Sequence, residues 1–188
     1  FVESQRAIGR VRNNTQGVGT VFNNGALAVC VGQAYDKEYE ENQTITLNDY
    51  LEMIEKKTGA LLSLCMEIPA LLANQDEGVC SQLRKFGYDI GKGFQIQDDI
   101  LEIFSGVEAM GKSLGSDVIA NKQTALTLMA RKLVPQDWNK FCNGQGSQTI
   151  DEKLAGLRTF FEDTGVYEET TAMADKYFKD AVNALAVV

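Results

Sequence analysis

Two prolines, Pro69 and Pro135, are the only prolines in a chain of 188 residues, and proline is the residue that most effectively breaks a helix. The alternation of β-branched and polar residues that indicates strands is nearly absent. Apolar residues instead recur three and four positions apart, as on one face of a helix. We therefore predict an all-α fold, a helical bundle built as a single domain over residues 1–188.

Two long helices carry the clearest apolar stripes. The first is predicted over 46–74 and opens with Thr46-Leu-Asn-Asp49, a variant of the capping box with Asp in place of Glu or Gln. The second is predicted over 79–105. The residues that we expect to face inward are Tyr50, Met53, Ile54, Leu61, Leu64 and Cys65 in the first helix, and Leu83, Phe86, Ile90 and Phe94 in the second.

Two glycines, Gly87 and Gly91, lie one turn apart in the second helix. Each costs about 1 kcal/mol of helix propensity relative to alanine, so a packing or functional reason is expected. Glycine lets a neighbouring backbone approach closely. The alternating polar and apolar stripes of the two long helices also require a shared interior, so we predict that the helices over 46–74 and 79–105 are antiparallel neighbours around a central cleft.

The other predicted helices are shorter and are separated by polar, glycine-rich loops. The first forty residues are expected to be helical and to end near residues 40–42, with further helices over 122–133, 151–163 and 166–186. Loops are predicted over 74–78, 105–117 and 143–147. The residues of the closing helices that we expect to face inward are Leu154, Leu157, Phe160, Phe161, Met173, Tyr177, Val182 and Leu185.

The composition excludes several functions. Lys and Arg total 18 against 26 Asp and Glu, a net charge of −8, which disfavours binding to nucleic acid because phosphates need basic partners. Histidine is absent from the sequence, so Ser-His and Cys-His catalysis and imidazole-bound zinc are excluded. No apolar run approaches the roughly 18 residues that a transmembrane segment needs.

The four cysteines contain no C-x-x-C pair and match no zinc module; they are Cys30, Cys65, Cys80 and Cys142. Isolated cysteines are commonly small core residues, so we expect free, buried thiols and a reducing compartment. The cytoplasm or the interior of an organelle would fit this expectation. A chain that begins at Phe1 leaves any targeting segment unobserved.

The strongest anomaly is a group of acidic side chains within the apolar run 94–104. Gln95, Asp98, Asp99 and Glu102 lie at positions i, i+3, i+4 and i+7, so they share one helix face. Like charges repel there and are costly to bury unpaired, which requires a cation. Mg²⁺ typically binds one or two carboxylates plus substrate phosphates, so this face is a candidate magnesium site. The alternative is a solvated acidic face at the helix end.

Four further polar residues add to this picture. Lys57 and Thr58 fall within the apolar stripe of the first long helix, where a lysine either snorkels to the surface or points into a polar cleft. Lys112 and Lys122 lie on a glycine-rich path that is either an ordinary connector or a loop that closes over a phosphate. Together, the carboxylates, magnesium and the lysines would hold a diphosphate attached to a hydrocarbon.

These residues resemble the motifs of the trans-prenyl diphosphate synthases, the family that includes farnesyl and geranylgeranyl diphosphate synthases. The matching elements, in family order, are Gly32-Gln33-Ala-Tyr-Asp36, Lys57-Thr58-Gly-Ala-Leu61, Phe94-Gln95-Ile-Gln-Asp98-Asp99-Ile-Leu-Glu102, Gly111-Lys112, and Gly115-Ser-Asp117 followed by Asn121-Lys122. The resemblance covers nearly all of this chain but only the C-terminal part of the family's domain. It implies the helical bundle of the isoprenoid synthase type, without the N-terminal helices.

The resemblance implies an activity and a metal. Enzymes of this family condense an allylic diphosphate with isopentenyl diphosphate by Mg²⁺-assisted ionisation and release diphosphate. Three Mg²⁺ ions are shared between two aspartate-rich motifs. By position, Asp98, Asp99 and Glu102 would be the ligands from the second motif, and the protein would be a homodimer.

The resemblance also implies roles for the other matched residues. Lys57, Lys112 and Lys122 would bind the leaving diphosphate. Thr58 and Gln95 would stabilise the carbocation or orient the diphosphate, and with Lys57 they are the catalytic candidates. The residues that would support this site through hydrogen bonds, without touching substrate, are Gln33, Asp36 and Asp117.

Two departures from the family pattern have consequences. Glu102 stands where the second motif, DDxxD, normally ends in Asp, so the charge is kept and the reach extends by one methylene. The first aspartate-rich motif, expected upstream of Gly32, is absent. We therefore expect a chain that starts inside the family's domain and does not catalyse the condensation alone. Product chain length is set in the missing part.

Two alternatives remain open. A non-catalytic subunit would keep the bundle and bind a partner synthase, and an upstream DDxxD in the parent gene would distinguish it from an enzyme. A terpene cyclase would share the helical fold. The pairs Lys57-Thr58 and Gly32-Gln33 argue against a cyclase, since cyclases usually carry an Asn/Ser/Glu metal triad.

Overall fold

The structure is a computed structural model that describes residues 2–105, 122–144 and 149–186, with Thr15 described for its backbone alone. Within those ranges the regular structure is helical throughout, which confirms the all-α prediction. The helices are α1 Val2–Ile8, α2 Thr15–Glu41, α3 Leu47–Ile54, α4 Ala60–Leu72, α5 Glu77–Phe104, α6 Ala125–Leu133, α7 Pro135–Gly144, α8 Ile150–Asp163 and α9 Val166–Leu185. None of these described helices is both long and apolar enough to cross a membrane.

Local signals explain where several helices begin. The hydroxyl of Thr124 accepts a hydrogen bond from the Thr127 N–H at the start of α6, and the Thr127 side chain returns a bond to the Thr124 backbone. Thr149 and Glu152 form the same reciprocal capping box at the start of α8. The helix α7 has no counterpart among the predicted elements, although its apolar residues Trp138, Phe141 and Cys142 lie at i, i+3 and i+4.

The chain divides into two compact units. The first contains Phe1–Asp36, Glu52–Gly93 and Lys176–Val188, and the second contains Lys37–Leu51 and Phe94–Asp175. The single domain expected over residues 1–188 stays a prediction.

In the first unit, α4 and α5 run antiparallel at close range, as predicted. A Cβ atom built on Gly87 would lie 2.3 Å from the Cα atom of Ser63, and one on Gly91 would lie 2.5 Å from the Cα atom of Gly59. Real Cβ atoms do not come so close to backbone. Glycine is therefore required at both positions by the approach of the neighbouring helix.

A π-helical turn over Glu55–Gly59 separates α3 from α4 and overturns part of the predicted stripe. The N–H of Ala60 donates to the carbonyl of Glu55, five residues back, so the turn holds one residue more than an α-turn. Every later position is shifted by one place around the axis. Leu61 is 53% exposed and Cys65 is exposed, against the prediction. Leu64 is buried, as predicted, and the other buried residues of α4 are Ala60, Ser63, Glu67 and Ala70.

In the second unit, α5, α6 and α8 supply most of the buried apolar residues, which are Ile96, Ile100, Ile103, Leu126, Leu128, Met129, Leu154, Leu157 and Phe161. Beside them, the ring of Trp138 lies 5.8 Å from that of Phe141 and 5.9 Å from that of Phe161, measured between ring centroids. The aromatic side chains of α7 therefore pack on the same core.

Several predicted core residues are exposed. Phe94 is 59% exposed, because the inner face of α5 at this level passes through Ile96 and Ile100 instead. Val182 and Leu185 are also exposed, because the buried face of α9 consists of small residues, Ala174, Ala181 and Ala184 among them. The four thiols are free, as predicted, but only Cys80 is buried.

Candidate active site

In the first unit, the π-turn carries Lys57 and is held against α2. The Lys57 ammonium donates a hydrogen bond to Oδ2 of Asp36 at 2.7 Å, and the two side chains are 28% and 24% exposed. One turn earlier on α2, a Cβ atom on Gly32 would lie 2.3 Å from the Lys57 backbone nitrogen. The structure thus brings together two of the predicted site elements. One is the segment 32–36 and the other is Lys57. π-Turns of this kind occur frequently at functional sites.

The other predicted residues of this unit lie nearby in sequence. Thr58 belongs to the same π-turn and is half-buried. Gln33 is exposed on α2.

A cationic side chain that the sequence interpretation missed fixes the π-turn from the side of α5. The Lys92 ammonium lies 2.7 Å from Oε2 of Glu55, 3.8 Å from Oδ1 of Asp89 and 4.9 Å from the ring centroid of Tyr177. Burial alone would lower the pKa of Lys92, but the hydrogen bond and charge of Glu55, with Tyr177 and Asp89, outweigh it, so the pKa is raised. Its position between Gly91 and Gly93 was the available sequence signal.

In the second unit, the three predicted metal ligands of α5 differ sharply in environment. Asp98 is exposed, Glu102 is half-buried and Asp99 is only 6% exposed. Oδ2 of Asp99 accepts a hydrogen bond from the Tyr50 hydroxyl at 2.7 Å and another from the Ala125 N–H at 2.8 Å. The three carboxylates therefore do not act as one equivalent set.

Gln95 stands next to this group on α5. Its Nε2 atom lies 3.5 Å from Oδ1 of Asp99, at the limit of a hydrogen bond. Gln95 and Asp99 are brought together as their helical spacing predicts.

A cavity of about 490 Å³ lies within the second unit. Asp99, Glu102 and Lys122 line it, so the structure brings these three predicted residues to one space. The aromatic side chains of Trp138, Phe141 and Phe161 are among its other walls. The cavity therefore offers both charged groups and an apolar surface.

Two more cations on this cavity, Arg131 and Lys153, are not in any predicted motif. Arg131 donates to the carbonyl of Gln43, and burial lowers its pKa. Within the described part of the chain no carboxylate forms an ion pair with it. Thr124, Thr127 and Arg131 lie at i, i+3 and i+7, and this shared helix face was the sequence signal that could have identified it.

The carboxylates fit a magnesium ion only in part. Among the described residues, no three acidic or thiol side chains converge tightly enough to hold a metal ion. Asp98 and Glu102 stand one helical turn apart, and Mg²⁺ often binds through one or two carboxylates together with substrate phosphates. A site completed by phosphate oxygens is therefore compatible with this donor set.

Some predicted site residues cannot be placed together. Lys112 and Asp117 lie outside the described residues. Lys57 and Asp98 belong to different units, so the cleft that they are expected to share stays a prediction.

Comparison with known proteins identifies one family. A family model described as polyprenyl synthetase matches residues 2–159. Geranylgeranyl diphosphate synthase of Methanosarcina mazei is 34% identical over 161 residues, which are 85% of this chain and 48% of that protein. Geranylfarnesyl diphosphate synthase of Natronomonas pharaonis is 43% identical over 103 residues, which are 55% of this chain and 30% of that protein.

Solved structures show the same similarity. A crystal structure of a geranylgeranyl pyrophosphate synthase superposes with a TM-score of 0.88 at 26% identity, over all of this chain and 59% of its own. Geranylgeranyl pyrophosphate synthetase from Geoglobus acetivorans gives a TM-score of 0.79 at 28% identity, over 99% of this chain and 57% of its own. The chain spans about half the length of the curated relatives it matches.

Proposed function

Because the chain belongs to the polyprenyl synthetase family, we propose that the protein carrying it is a trans-prenyl diphosphate synthase. It condenses an allylic diphosphate with isopentenyl diphosphate, extends the hydrocarbon and releases diphosphate. The family membership rests on the match over residues 2–159 and on relatives that are named as synthases. The reaction and its substrates are part of the proposal.

The proposal rests mainly on one observation, which is that Glu102 and Lys122 line the same cavity. The resemblance assigns one of these residues to the metal and the other to the diphosphate, and both line the same 490 Å³ space. Opposite charges that face one cavity suit a ligand that carries both a cation and an anion. The apolar walls supplied by Trp138 and Phe161 suit a ligand with a hydrocarbon part.

Magnesium is the metal that we propose, with Asp98 as its direct protein ligand and Glu102 as a ligand through water. Both are carboxylates, and the carboxylate of Asp98 has no hydrogen-bond partner among the described residues. When bound, Mg²⁺ neutralises the charge that develops on the departing diphosphate. Two carboxylates leave most of the coordination sphere to phosphate and water, as is usual for Mg²⁺.

The lysines bind the diphosphate in this proposal. Lys57 is held by Asp36, so its ammonium is oriented before the substrate arrives. Lys122 contributes from the cavity, and Lys112 is assigned by resemblance alone. Thr58 and Gln95 are proposed to stabilise the carbocation or to orient the diphosphate. Asp117 is proposed to support this group through hydrogen bonds.

The assembly and the compartment are also proposals. A homodimer, in the cytoplasm or inside an organelle, is what the resemblance and the free thiols favour. The named relatives are synthases, which does not favour a non-catalytic subunit or a terpene cyclase.

The test is steady-state kinetics of the protein that carries this chain, with an allylic primer and labelled isopentenyl diphosphate at several Mg²⁺ concentrations. Asp98→Ala is expected to remove several kcal/mol of transition-state stabilisation, on the order of a 10³-fold loss in kcat/KM. Glu102→Ala, at the position where the family has Asp, is expected to lose about 10- to 100-fold.

The control is Asp137→Ala, which removes an exposed carboxylate of α7 together with its exposed ion pair to Lys140, and it should leave turnover unchanged and alter the melting temperature little. Wild-type turnover in Asp98→Ala would contradict the metal assignment. A larger loss in Glu102→Ala than in Asp98→Ala would reverse the roles of the two carboxylates. Failure of the wild-type protein to consume both substrates would contradict the proposed reaction itself.

A further inference from the structure

Asp99 is a buried carboxylate whose hydrogen bonds join three elements of the second unit. Its Oδ2 atom accepts from the Tyr50 hydroxyl on α3 at 2.7 Å and from the Ala125 N–H on α6 at 2.8 Å. All three residues are buried, since Tyr50 is 2% exposed, Ala125 is fully buried and Asp99 is 6% exposed. Water therefore has little access to replace either donor.

The Ala125 N–H is one of the donors that a helix start leaves without an intrahelical partner. The capping box of Thr124 and Thr127 satisfies the Thr127 N–H, not the Ala125 N–H. Asp99 supplies the missing acceptor from another helix. Its negative charge also lies at the positive end of the α6 dipole, which stabilises a carboxylate there.

The segment that Asp99 fixes is the one that carries Lys122. Lys122 stands three residues before Ala125, and between them the side-chain Nε2 of Gln123 donates to Oε1 of Gln43 at 2.6 Å. The segment 123–125 is thus held by one buried backbone hydrogen bond at Ala125 and one exposed side-chain hydrogen bond at Gln123, and Lys122, which precedes it, lines the cavity.

We propose that Asp99 is a positioning residue that sets the start of α6, and through it the place of Lys122, and that it is not a magnesium ligand. The role of Lys122 in this statement rests on the proposed function. A cation at Oδ2 would displace the Ala125 N–H and the Tyr50 hydroxyl, both buried, and unsatisfied buried donors are costly. The adjacent Asp98 has no such donors among the described residues and is exposed.

The geometry of the helix gives the two adjacent aspartates different roles. Successive residues of a helix point about 100° apart, so Asp98 and Asp99 lie on opposite sides of the face that they share and meet different surroundings. The structure turns Asp99 toward the interior and Asp98 toward solvent. Asp98 is therefore available to bind a metal, whereas the carboxylate of Asp99 already accepts hydrogen bonds within the fold.

The experiment compares Asp99→Asn, Asp99→Ala and Asp98→Asn in the protein that carries this chain. Three quantities are measured: the binding of Mg²⁺ with inorganic diphosphate by calorimetry, the hydrogen exchange of the Ala125 amide, and the KM for the allylic diphosphate. Asparagine keeps an acceptor oxygen at position 99 while it removes the charge, whereas alanine removes the acceptor as well.

We expect Asp99→Asn to keep Mg²⁺ binding within about threefold of wild type and to retain most of the protection of the Ala125 amide. Asp99→Ala is expected to expose that amide to exchange and to raise KM by about tenfold, with Mg²⁺ half-saturation unchanged. Asp98→Asn is expected to weaken Mg²⁺ binding by tenfold or more and to leave Ala125 exchange as in wild type.

Two results would overturn the inference: a loss of Mg²⁺ affinity in Asp99→Asn as large as that in Asp98→Asn, or unchanged Ala125 exchange in Asp99→Ala. If Asp99→Ala does not fold, Tyr50→Phe replaces it, because it removes one of the two buried donors and must leave Mg²⁺ binding unchanged. If neither aspartate variant affects Mg²⁺, the proposed metal role of Asp98 fails, and the exchange of Ala125 still decides the role of Asp99.

Discussion

The Lys57 ammonium and Oδ2 of Asp36 form an ion pair at 2.7 Å, between the π-turn and the last part of α2. Both side chains are about three-quarters buried. The pair explains how a lysine is accommodated within an otherwise apolar stripe. It also places Asp36, which the resemblance puts in a supporting role, in direct contact with a proposed diphosphate ligand.

Asp36→Asn is therefore expected to reduce kcat/KM for the allylic diphosphate by about tenfold, because Lys57 loses the partner that orients it. The free energy of unfolding should fall by about 1 kcal/mol or less, since the pair is partly solvated. Steady-state kinetics and chemical denaturation measure the two effects. Glu3→Gln, which breaks the exposed pair with Arg6, is the control and should change neither quantity; equal losses in the two variants would count against the orienting role.

Gly87→Ala and Gly91→Ala should each destabilise the first unit, because the new Cβ atoms would lie 2.3 Å and 2.5 Å from backbone atoms of the neighbouring segment. Overpacking of this kind costs about 1–3 kcal/mol or more, which exceeds the roughly 1 kcal/mol that alanine gains in helix propensity. Thermal and urea denaturation give the values. Gly144→Ala is the matched control, because no atom of the described residues lies within 4 Å of its Cβ position, and it should be neutral or stabilising; a stable Gly87→Ala would refute the close approach.

The two partners of the Glu67–Arg84 ion pair are expected to differ in how much stability is lost when each is removed. Glu67 is buried, whereas the Arg84 side chain is 35% exposed and also lies 3.1 Å from Glu77. The hydrogen bond with Glu67 is the main reason that the pKa of Arg84 is raised. Arg84→Ala should cost about 3–5 kcal/mol because it strands a buried carboxylate, and Glu67→Ala should cost less.

Urea denaturation of both single variants and of the double variant Glu67→Leu with Arg84→Leu measures this asymmetry. The double variant is expected to be more stable than Arg84→Ala, since neither charge is left alone. A Glu67→Ala variant less stable than Arg84→Ala would show that the burial of the glutamate does not determine the cost.

The capping boxes predict a loss of stability at acid pH. Hydrogen bonds from the Thr46 side chain and backbone lower the pKa of Asp49, and bonds from the Thr149 backbone and side chain lower the pKa of Glu152. A lowered folded-state pKa means that the stabilisation is complete above the unfolded-state values, about 3.8 and 4.5, and is lost as pH falls through the folded-state values.

Melting temperatures from pH 6 to pH 3 test this expectation. Wild type should lose stability across the window, and Glu152→Gln should show a shallower loss because one of the two contributing carboxylates is gone. Glu162→Gln, an exposed substitution at the other end of α8, serves as the control for the change of charge. Identical slopes for Glu152→Gln and wild type would exclude a contribution from the capping box.

Much of the helical framework could be predicted from sequence, because the signals are local. The predicted helix over 79–105 is observed as Glu77–Phe104, and the one over 151–163 as Ile150–Asp163. Capping residues act within one turn of the chain, and apolar spacing reports the helix period. The need for Gly87 and Gly91 could also be predicted, since only a packing or functional reason justifies their cost in a helix.

Which residues of those helices face the interior could not be predicted in the same way. The π-turn over Glu55–Gly59 inserts one residue, and nothing in the spacing of Tyr50, Ile54 and Leu61 indicates where such a turn falls. The packing of α2 through Gly32 and the ion pair of Lys92 with Glu55 accompany it. Leu61 consequently faces solvent although its position in the α-helical pattern is apolar.

The sequence by itself determined the residue types of the candidate site, because carboxylates one turn apart and lysines in apolar or glycine-rich surroundings are local features of the chain. Only the tertiary structure decided what each carboxylate does. Asp98 and Asp99 are adjacent and chemically identical, yet the Tyr50 hydroxyl and the Ala125 N–H both bind Asp99. Those donors are 49 residues before it and 26 residues after it. The physical reason is that a hydrogen bond depends on distance in space, which helix packing sets and local spacing does not contain.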